Sequence, residues 1–206
     1  MSTFMLIPGA GCDAGYWGQV ADQLRGLGHD AVPVPLPSED DSAGLGEYAD
    51  AVVEAIGERR DVVVVAHSFG GFTAPLVCER VPVRRMVLIS AMIPAPGEAP
   101  GDWWANTGHA TSGDDDVFYN QLTPEQRAEA EKYECGQSGT PMESTWPLAS
   151  WPEVPTRFIL LRDDRFFPAD FMRGLVASRL GIEPVEMDGG HMVMMSSPAE
   201  LARLLL

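Results

Sequence analysis

Six residues, Ala66-His67-Ser68-Phe69-Gly70-Gly71, constrain this chain more than any other stretch. Ahead of them, Asp61-Val62-Val63-Val64-Val65 is a β-branched run of the kind buried inside a sheet. Behind them, Phe72-Thr73-Ala74-Pro75-Leu76-Val77 reads as the start of an apolar helix. A chain that passes directly from a buried strand into a helix must reverse sharply. A serine at that reversal sits on a strained turn and needs small neighbours. The pattern is that of a nucleophile elbow, G-x-S-x-G, with Ala66 in the place of the first glycine, where the geometry asks only for a small side chain. Gly70 and Gly71 then let the helix pack close to the strand. The competing reading is an ordinary strand-turn-helix connection whose serine caps the helix.

The remainder of the chain alternates in the same way. Strands are expected at Thr3–Ile7, Asp30–Val34, Arg85–Ile89, Arg157–Leu161 and Glu183–Met187, besides the valine run. The prolines in and after the second strand point to a sheet edge. Helices are expected at Tyr16–Leu24, Glu47–Arg59, Pro168–Leu180 and Pro198–Leu206. Residues 94–153 break the alternation. They are rich in Gly, Pro, Trp, Ser and acidic residues, with one helix expected at Pro124–Tyr133 and Thr123 as its N-cap. A long insertion after a core strand covers a site more often than not. The expectation is one α/β domain over residues 1–206, with about six mostly parallel strands flanked by helices and a cap insertion at 94–153 after the fourth strand.

Sites in such folds lie beyond the carboxyl ends of the strands. Serine is a weak nucleophile until a base stands within hydrogen-bond reach. Of the four histidines, His191 in Asp188-Gly189-Gly190-His191 follows the sixth strand and is the best candidate. A base of this kind is held in its tautomer by a carboxylate. Asp163 and Asp164 end the fifth strand, and Asp188 is a third option with little chain to fold back. Two backbone donors are needed for an oxyanion. Phe69 N–H follows from the elbow, and Gly9-Ala10-Gly11 after the first strand suits the other. The chain order Ser68, acid, His191 is that of α/β-hydrolases.

With those residues in hand, the chain resembles the plant methylesterase and hydroxynitrile lyase family, and its small bacterial relatives, within the α/β-hydrolase superfamily. The matching stretches are Ile7-Pro8-Gly9-Ala10-Gly11-Cys12, Tyr16-Trp17, the elbow, Asp164-Arg165-Phe166-Phe167-Pro168 and Asp188-Gly189-Gly190-His191. The resemblance implies Ser68, Asp164 and His191 as the catalytic residues, because that family's aspartate is followed four residues later by proline. It implies Ala10 as the second oxyanion donor. Proline stands at position 8, where the family usually has histidine. Lyases of this family have threonine and lysine where this chain has Gly9 and Met192, so the esterase branch is the nearer one.

The expected function is therefore hydrolysis of a small neutral carboxylic ester through an acyl-enzyme. The alternatives are a lyase-like or other non-hydrolytic use of the same residues, or a ligand-binding member of the fold without catalysis. Trp103, Trp104 and Trp146 are candidates for lining the substrate site, weighed evenly against a place in the core. The formal net charge of −16 excludes nucleic acid and disfavours anionic membrane surfaces. The acidic runs Glu39-Asp40-Asp41 and Asp114-Asp115-Asp116 read as solvated loops. Three widely spaced cysteines suggest neither a metal site nor a disulfide framework, and no cofactor is called for. No secretory signal or transmembrane stretch is seen, which reads as a cytoplasmic protein. The sequence assigns no oligomeric state.

Overall fold

The structure is a computed structural model that describes residues 1–110 and 116–206. Among these, six strands form one sheet: β1 (Thr3–Ile7), β2 (Asp30–Pro33), β3 (Val62–His67), β4 (Arg85–Ile89), β5 (Thr156–Leu161) and β6 (Val185–Met187). Their order is β2-β1-β3-β4-β5-β6, and every adjacent pair is parallel. β2 pairs with β1 alone, which leaves Pro33 on an edge where its missing N–H interrupts nothing.

Period-two alternation divides the strands between two cores. Met5, Ile7, Val62, Val64, Leu88 and Leu160 face one side, where α2 (Leu45–Ile56), α3 (Ala74–Arg80) and α8 (Ala169–Leu180) pack. Phe4, Leu6, Val63, Val65, Ile89 and Leu161 face the other, against α1 (Gly18–Gly26) and α10 (Pro198–Leu205). Each side chain of this type buried contributes about 1.5–3 kcal/mol. The valine run is valine throughout because β3 lies mid-sheet with both faces covered. Since all strands are parallel, their carboxyl ends gather on one side, carrying Gly9-Ala10, Ser68, Met92, Asp164 and His191 to a common edge.

Gly71 explains how the elbow fits there. A Cβ at position 71 would stand 1.9 Å from the Met92 carbonyl oxygen, so the turn can lie against the end of β4 only with glycine. Sequence and structure part in smaller ways. The helix expected from Tyr16 begins as a 3-10 turn, Ala14–Trp17, before α1. Residues 94–153 hold four short α-helical segments among those described, not one: α4 (Pro100–Thr107), α5 (Asp116–Tyr119), α6 (Pro124–Ala130) and α7 (Thr140–Glu143). Helices of one or two turns give too little periodicity to see. α6 is the one expected, and its capping box is present, with Gln126 N–H donating to Thr123 Oγ1 at 3.2 Å and Thr123 N–H donating to Gln126 Oε1 at 3.0 Å. Of the second acidic run, Asp116 opens a helix and not a loop; Asp114 and Asp115 lie outside the described residues. A short helix, α9 (Val193–Ser196), follows the sixth strand.

The insertion is anchored at its start by Glu98, which is 6% exposed. Its carboxylate accepts from Ala95 N–H at 3.0 Å, Asn106 Nδ2 at 2.9 Å and Arg179 Nη2 of α8 at 2.9 Å. Burial opposes ionisation here, but the donors outweigh it and hold the Glu98 carboxyl below its ordinary pKa of 4.5. A depressed carboxyl contributes stability that is fully present above the ordinary value and is lost as pH falls through the folded one. Arg179→Met should therefore destabilise by about 2–4 kcal/mol at neutral pH, because a buried carboxylate loses its cation. Chemical denaturation of both proteins across the acidic range should show that gap narrowing as Glu98 takes up a proton. A gap that stays constant down to pH values well below the ordinary one would contradict the assignment.

Candidate active site

Ser68 takes φ +53°, in the left-handed region that costs a serine strain. It directly follows β3, opens the 3-10 turn Ser68–Gly71, and its carbonyl accepts from Met92 N–H at 2.9 Å. The turn is closed by bonds from Phe72 N–H to Phe69 O and from Thr73 N–H to Gly70 O, both 3.0 Å. Ala10, Ser68 and Phe69 line a cavity of about 150 Å³ together with Met92, Trp104, Phe118, Met142 and Phe166. Trp104, Phe118 and Met142 come from the insertion. An open groove of about 570 Å³ shares Ala10 and Phe118 with this cavity and passes Tyr119, Arg127, Glu134 and Met192.

The loops after β5 and β6 bring an acid and a histidine together. His191 Nδ1 and Asp164 Oδ2 are 2.8 Å apart, with side-chain exposures of 2% and 0%. An ionised carboxylate only accepts, so Nδ1–H donates and Nε2 is left as the basic nitrogen. Asp164 Oδ1 is occupied separately, by Phe166 N–H at 2.8 Å and Phe167 N–H at 3.0 Å. The carboxylate is thus fixed on both oxygens. The His191 ring lies among Phe166, Phe118 and Phe167, with centroids at 4.9, 5.7 and 5.5 Å, and against the ring of His67 at 4.5 Å.

The neighbouring acids have other partners. Asp163 Oδ2 accepts from Gly189 N–H at 3.0 Å, and Asp163 N–H donates back to Gly189 O at 3.1 Å, so Asp163 ties the two loops together. Asp188 is 80% exposed and pairs with Arg162. Burial, followed by the nearby His191, holds His67 well below the ordinary histidine range, so it stays uncharged.

Two of the three tryptophans considered for the substrate site stand elsewhere. Trp103 is 0% exposed and donates its indole N–H to Ile93 O at 3.0 Å. Trp146 is 1% exposed and donates to Phe72 O at 3.2 Å. Both are core residues that seat the insertion on the sheet domain, their polar atoms satisfied by backbone carbonyls. Only Trp104 reaches the cavity wall.

Other contributors carried no readable signal. Asn120, at the end of α5, donates from Nδ2 to Asp163 O at 2.6 Å. His109 Nε2 lies 2.7 Å from Phe166 O and its ring stacks on Phe171 at 4.5 Å. Nothing local marks a lone Asn or His in a loop; only the fold brings them to the acid loop. Among the described residues, no group of three or more His, Cys, Asp or Glu is placed to hold a metal ion, and no helix is long and apolar enough to cross a membrane.

A model of the alpha/beta hydrolase family matches residues 4–204. Methylesterase 7 of Arabidopsis thaliana is 27% identical, covering 98% of this chain and 94% of the relative. Polyneuridine aldehyde esterase of Rauvolfia serpentina is 24% identical, covering 98% of this chain and 94% of the relative. Among solved structures, an extracellular alpha/beta-hydrolase from a Paenibacillus species superposes with a TM-score of 0.85 at 24% identity, covering 100% of this chain and 98% of that one. At that identity the structural likeness is one of fold.

Proposed function

The chain belongs to the alpha/beta hydrolase family, and from that premise we propose that it is a serine esterase acting on small neutral carboxylic esters. The observation that carries the reading is the buried pair of Asp164 and His191 at 2.8 Å, set at the same edge of the sheet as a serine held at φ +53°. Relatives named as esterases and methylesterases support the reaction class.

The chemistry follows from these groups. Ser68 Oγ attacks the ester carbonyl while His191 Nε2 takes its proton. Asp164 keeps the proton on Nδ1 and stabilises the imidazolium that forms. The Ala10 and Phe69 amides receive the charge developing on the carbonyl oxygen. His191 then protonates the departing alcohol, and a water activated by the same nitrogen releases the acid from Ser68. The aromatic rings around His191 exclude water from the pair and strengthen it. The small cavity, walled by Met92, Trp104, Phe118, Met142 and Phe166, suits an apolar, uncharged group. The insertion acts as the cap that encloses it. The three cysteines are free, which fits a reducing cytoplasmic setting.

A fluorophosphonate probe should label Ser68 in the intact protein, and Ser68→Ala should abolish both labelling and ester turnover while the fold is kept. Labelling that persists in a folded Ser68→Ala protein would remove the serine from this role.

The two adjacent acids should separate cleanly. Asp164→Asn should lower kcat by about 10⁴-fold, because the histidine loses the partner that sets its tautomer. Asp163→Asn keeps an oxygen that can accept from Gly189 and should cost no more than about tenfold, the worth of one neutral hydrogen bond. Steady-state rates of the two variants decide it, and a dead Asp163 variant beside an active Asp164 variant would reverse the assignment.

A neutral ester should exceed a carboxylate-bearing analogue of similar size in kcat/KM, since a net charge of −16 repels anions from most of the surface. The gap should shrink as salt is added and the field is screened. Equal rates at low ionic strength would show that the net charge does not reach the site.

A further inference from the structure

A buried chain of two hydrogen bonds joins the loop after β1 to the elbow. Gly9 N–H donates to Tyr16 Oη at 3.0 Å. Tyr16 Oη stands 3.0 Å from His67 Nδ1. Both side chains are sealed from solvent, Tyr16 at 0% and His67 at 1% exposure. A phenol has one proton. The oxygen accepts from Gly9 N–H and keeps a second lone pair beside its own proton, so its bond to His67 Nδ1 forms with either group as donor, according to the His67 tautomer.

The position of this chain gives it consequence. Gly9 lies against the serine so closely that an added Cβ would stand 3.0 Å from Ser68 Cβ and 3.5 Å from Ser68 Oγ. The next residue is Ala10, the proposed oxyanion donor. Pro8, just before, has no N–H to anchor the loop. Tyr16 is itself held firmly. Its N–H donates to Asp13 O at 3.3 Å, its ring packs on Trp17 at 5.3 Å, and Asp13 Oδ1 caps the turn by accepting from Gly15 N–H at 2.7 Å. The far end of the chain, His67, is the residue that precedes Ser68 and touches the His191 ring at 4.5 Å.

We propose that Tyr16 is a positioning residue for ester hydrolysis: its hydroxyl, shared between Gly9 N–H and His67 Nδ1, locks the loop after β1 to the elbow and so sets the Ala10 N–H where charge develops on the substrate carbonyl. This rests on the Ser68 esterase reading. An oxyanion donor matters more in the transition state than in the bound substrate. Misplacing it therefore lowers kcat and spares KM. Burial keeps His67 uncharged, so it does not repel the imidazolium that forms on His191 during turnover.

The test uses Tyr16→Phe, with 4-nitrophenyl acetate as substrate and phenylboronic acid as a mimic of the tetrahedral intermediate. The kcat should fall by about 10- to 100-fold with KM changed by less than about threefold, a little under the loss of a whole oxyanion donor. Boronate affinity should weaken by a similar factor, which a purely structural defect would not produce. Two further variants keep the question decidable if Tyr16→Phe folds poorly. His67→Leu removes the partner of the Tyr16 hydroxyl and should reproduce the loss, whereas His67→Asn offers an amide that can accept or donate at the δ1 position and should recover most of it. A folded Tyr16→Phe protein with unaltered kcat and boronate affinity overturns the proposal, as does His67→Asn behaving no better than His67→Leu. Ser68→Ala distinguishes the two levels of failure. Turnover that survives it removes the esterase reading and this proposal together. Turnover abolished by Ser68→Ala but unaffected by Tyr16→Phe removes this proposal alone.

Discussion

The turn at Ser68 is the constraint that the rest of the molecule answers to. A serine at φ +53° stores strain on the order of 1–3 kcal/mol and persists only where its surroundings leave no alternative. Those surroundings are specific. β3 enters the turn buried on both faces, so the strand cannot slide or twist to relieve it. Met92 N–H holds the serine carbonyl from one side. The backbone of residue 71 lies so near the Met92 carbonyl that nothing larger than glycine fits. The sheet therefore supplies the rigidity that the strained corner needs, and the corner in turn fixes the edge at which the other loops assemble.

Much of this was legible because it is local. The valine run, the small residues about Ser68, and six strands alternating with helices all express short-range chemistry, and they led to a parallel sheet with β2 at its edge. The residues alone leave Asp163, Asp164 and Asp188 open beside His191, and only the family resemblance favours Asp164; in the structure Asp164 Oδ2 lies 2.8 Å from His191 Nδ1. The structure separates them by their donors. Asp164 takes two backbone amides on one oxygen and His191 on the other, while Asp163 binds the glycine loop of its neighbour. That distinction depends on how two loops from different strands meet, which adjacent residues in a sequence cannot express. The insertion was harder for a different reason. Its helices run four to eight residues, too short to establish a period. Trp103, Trp104 and Trp146 look alike in sequence, yet Trp103 and Trp146 go to the core with their indoles donating to carbonyls, while Trp104 lines the cavity.

The acid loop shows how closely orientation and shape are joined here. Phe166 donates its N–H to Asp164 Oδ1, and its carbonyl meets His109 Nε2 from the insertion at 2.7 Å. Its ring lines the small cavity, contacts His191 at 4.9 Å, and packs on Phe118 of α5 at 4.3 Å. One residue thus reports to the carboxylate through its backbone and to the small cavity through its side chain. Asn120 adds a second tie, from the end of α5 to the backbone of Asp163. The insertion is consequently more than a cover laid over a finished site.

That coupling bears on how such a site can change. A cavity wall carried on independent loops can be recut one side chain at a time, with effects that add. Here Phe118 and Phe166 touch each other and both touch His191, so a substitution that enlarges the cavity also alters the packing that excludes water from the Asp164–His191 pair. Their effects on substrate preference and on rate should not separate. Trp104 and Met142 line the same cavity from α4 and α7, and neither contributes a ring against His191. On the proposed esterase reading, acyl or alcohol size would be set at the α4–α7 wall with least disturbance to the Asp164–His191 pair. The α5 wall belongs to the packing that holds His191 in place, and the physical reason is that its aromatic ring is shared.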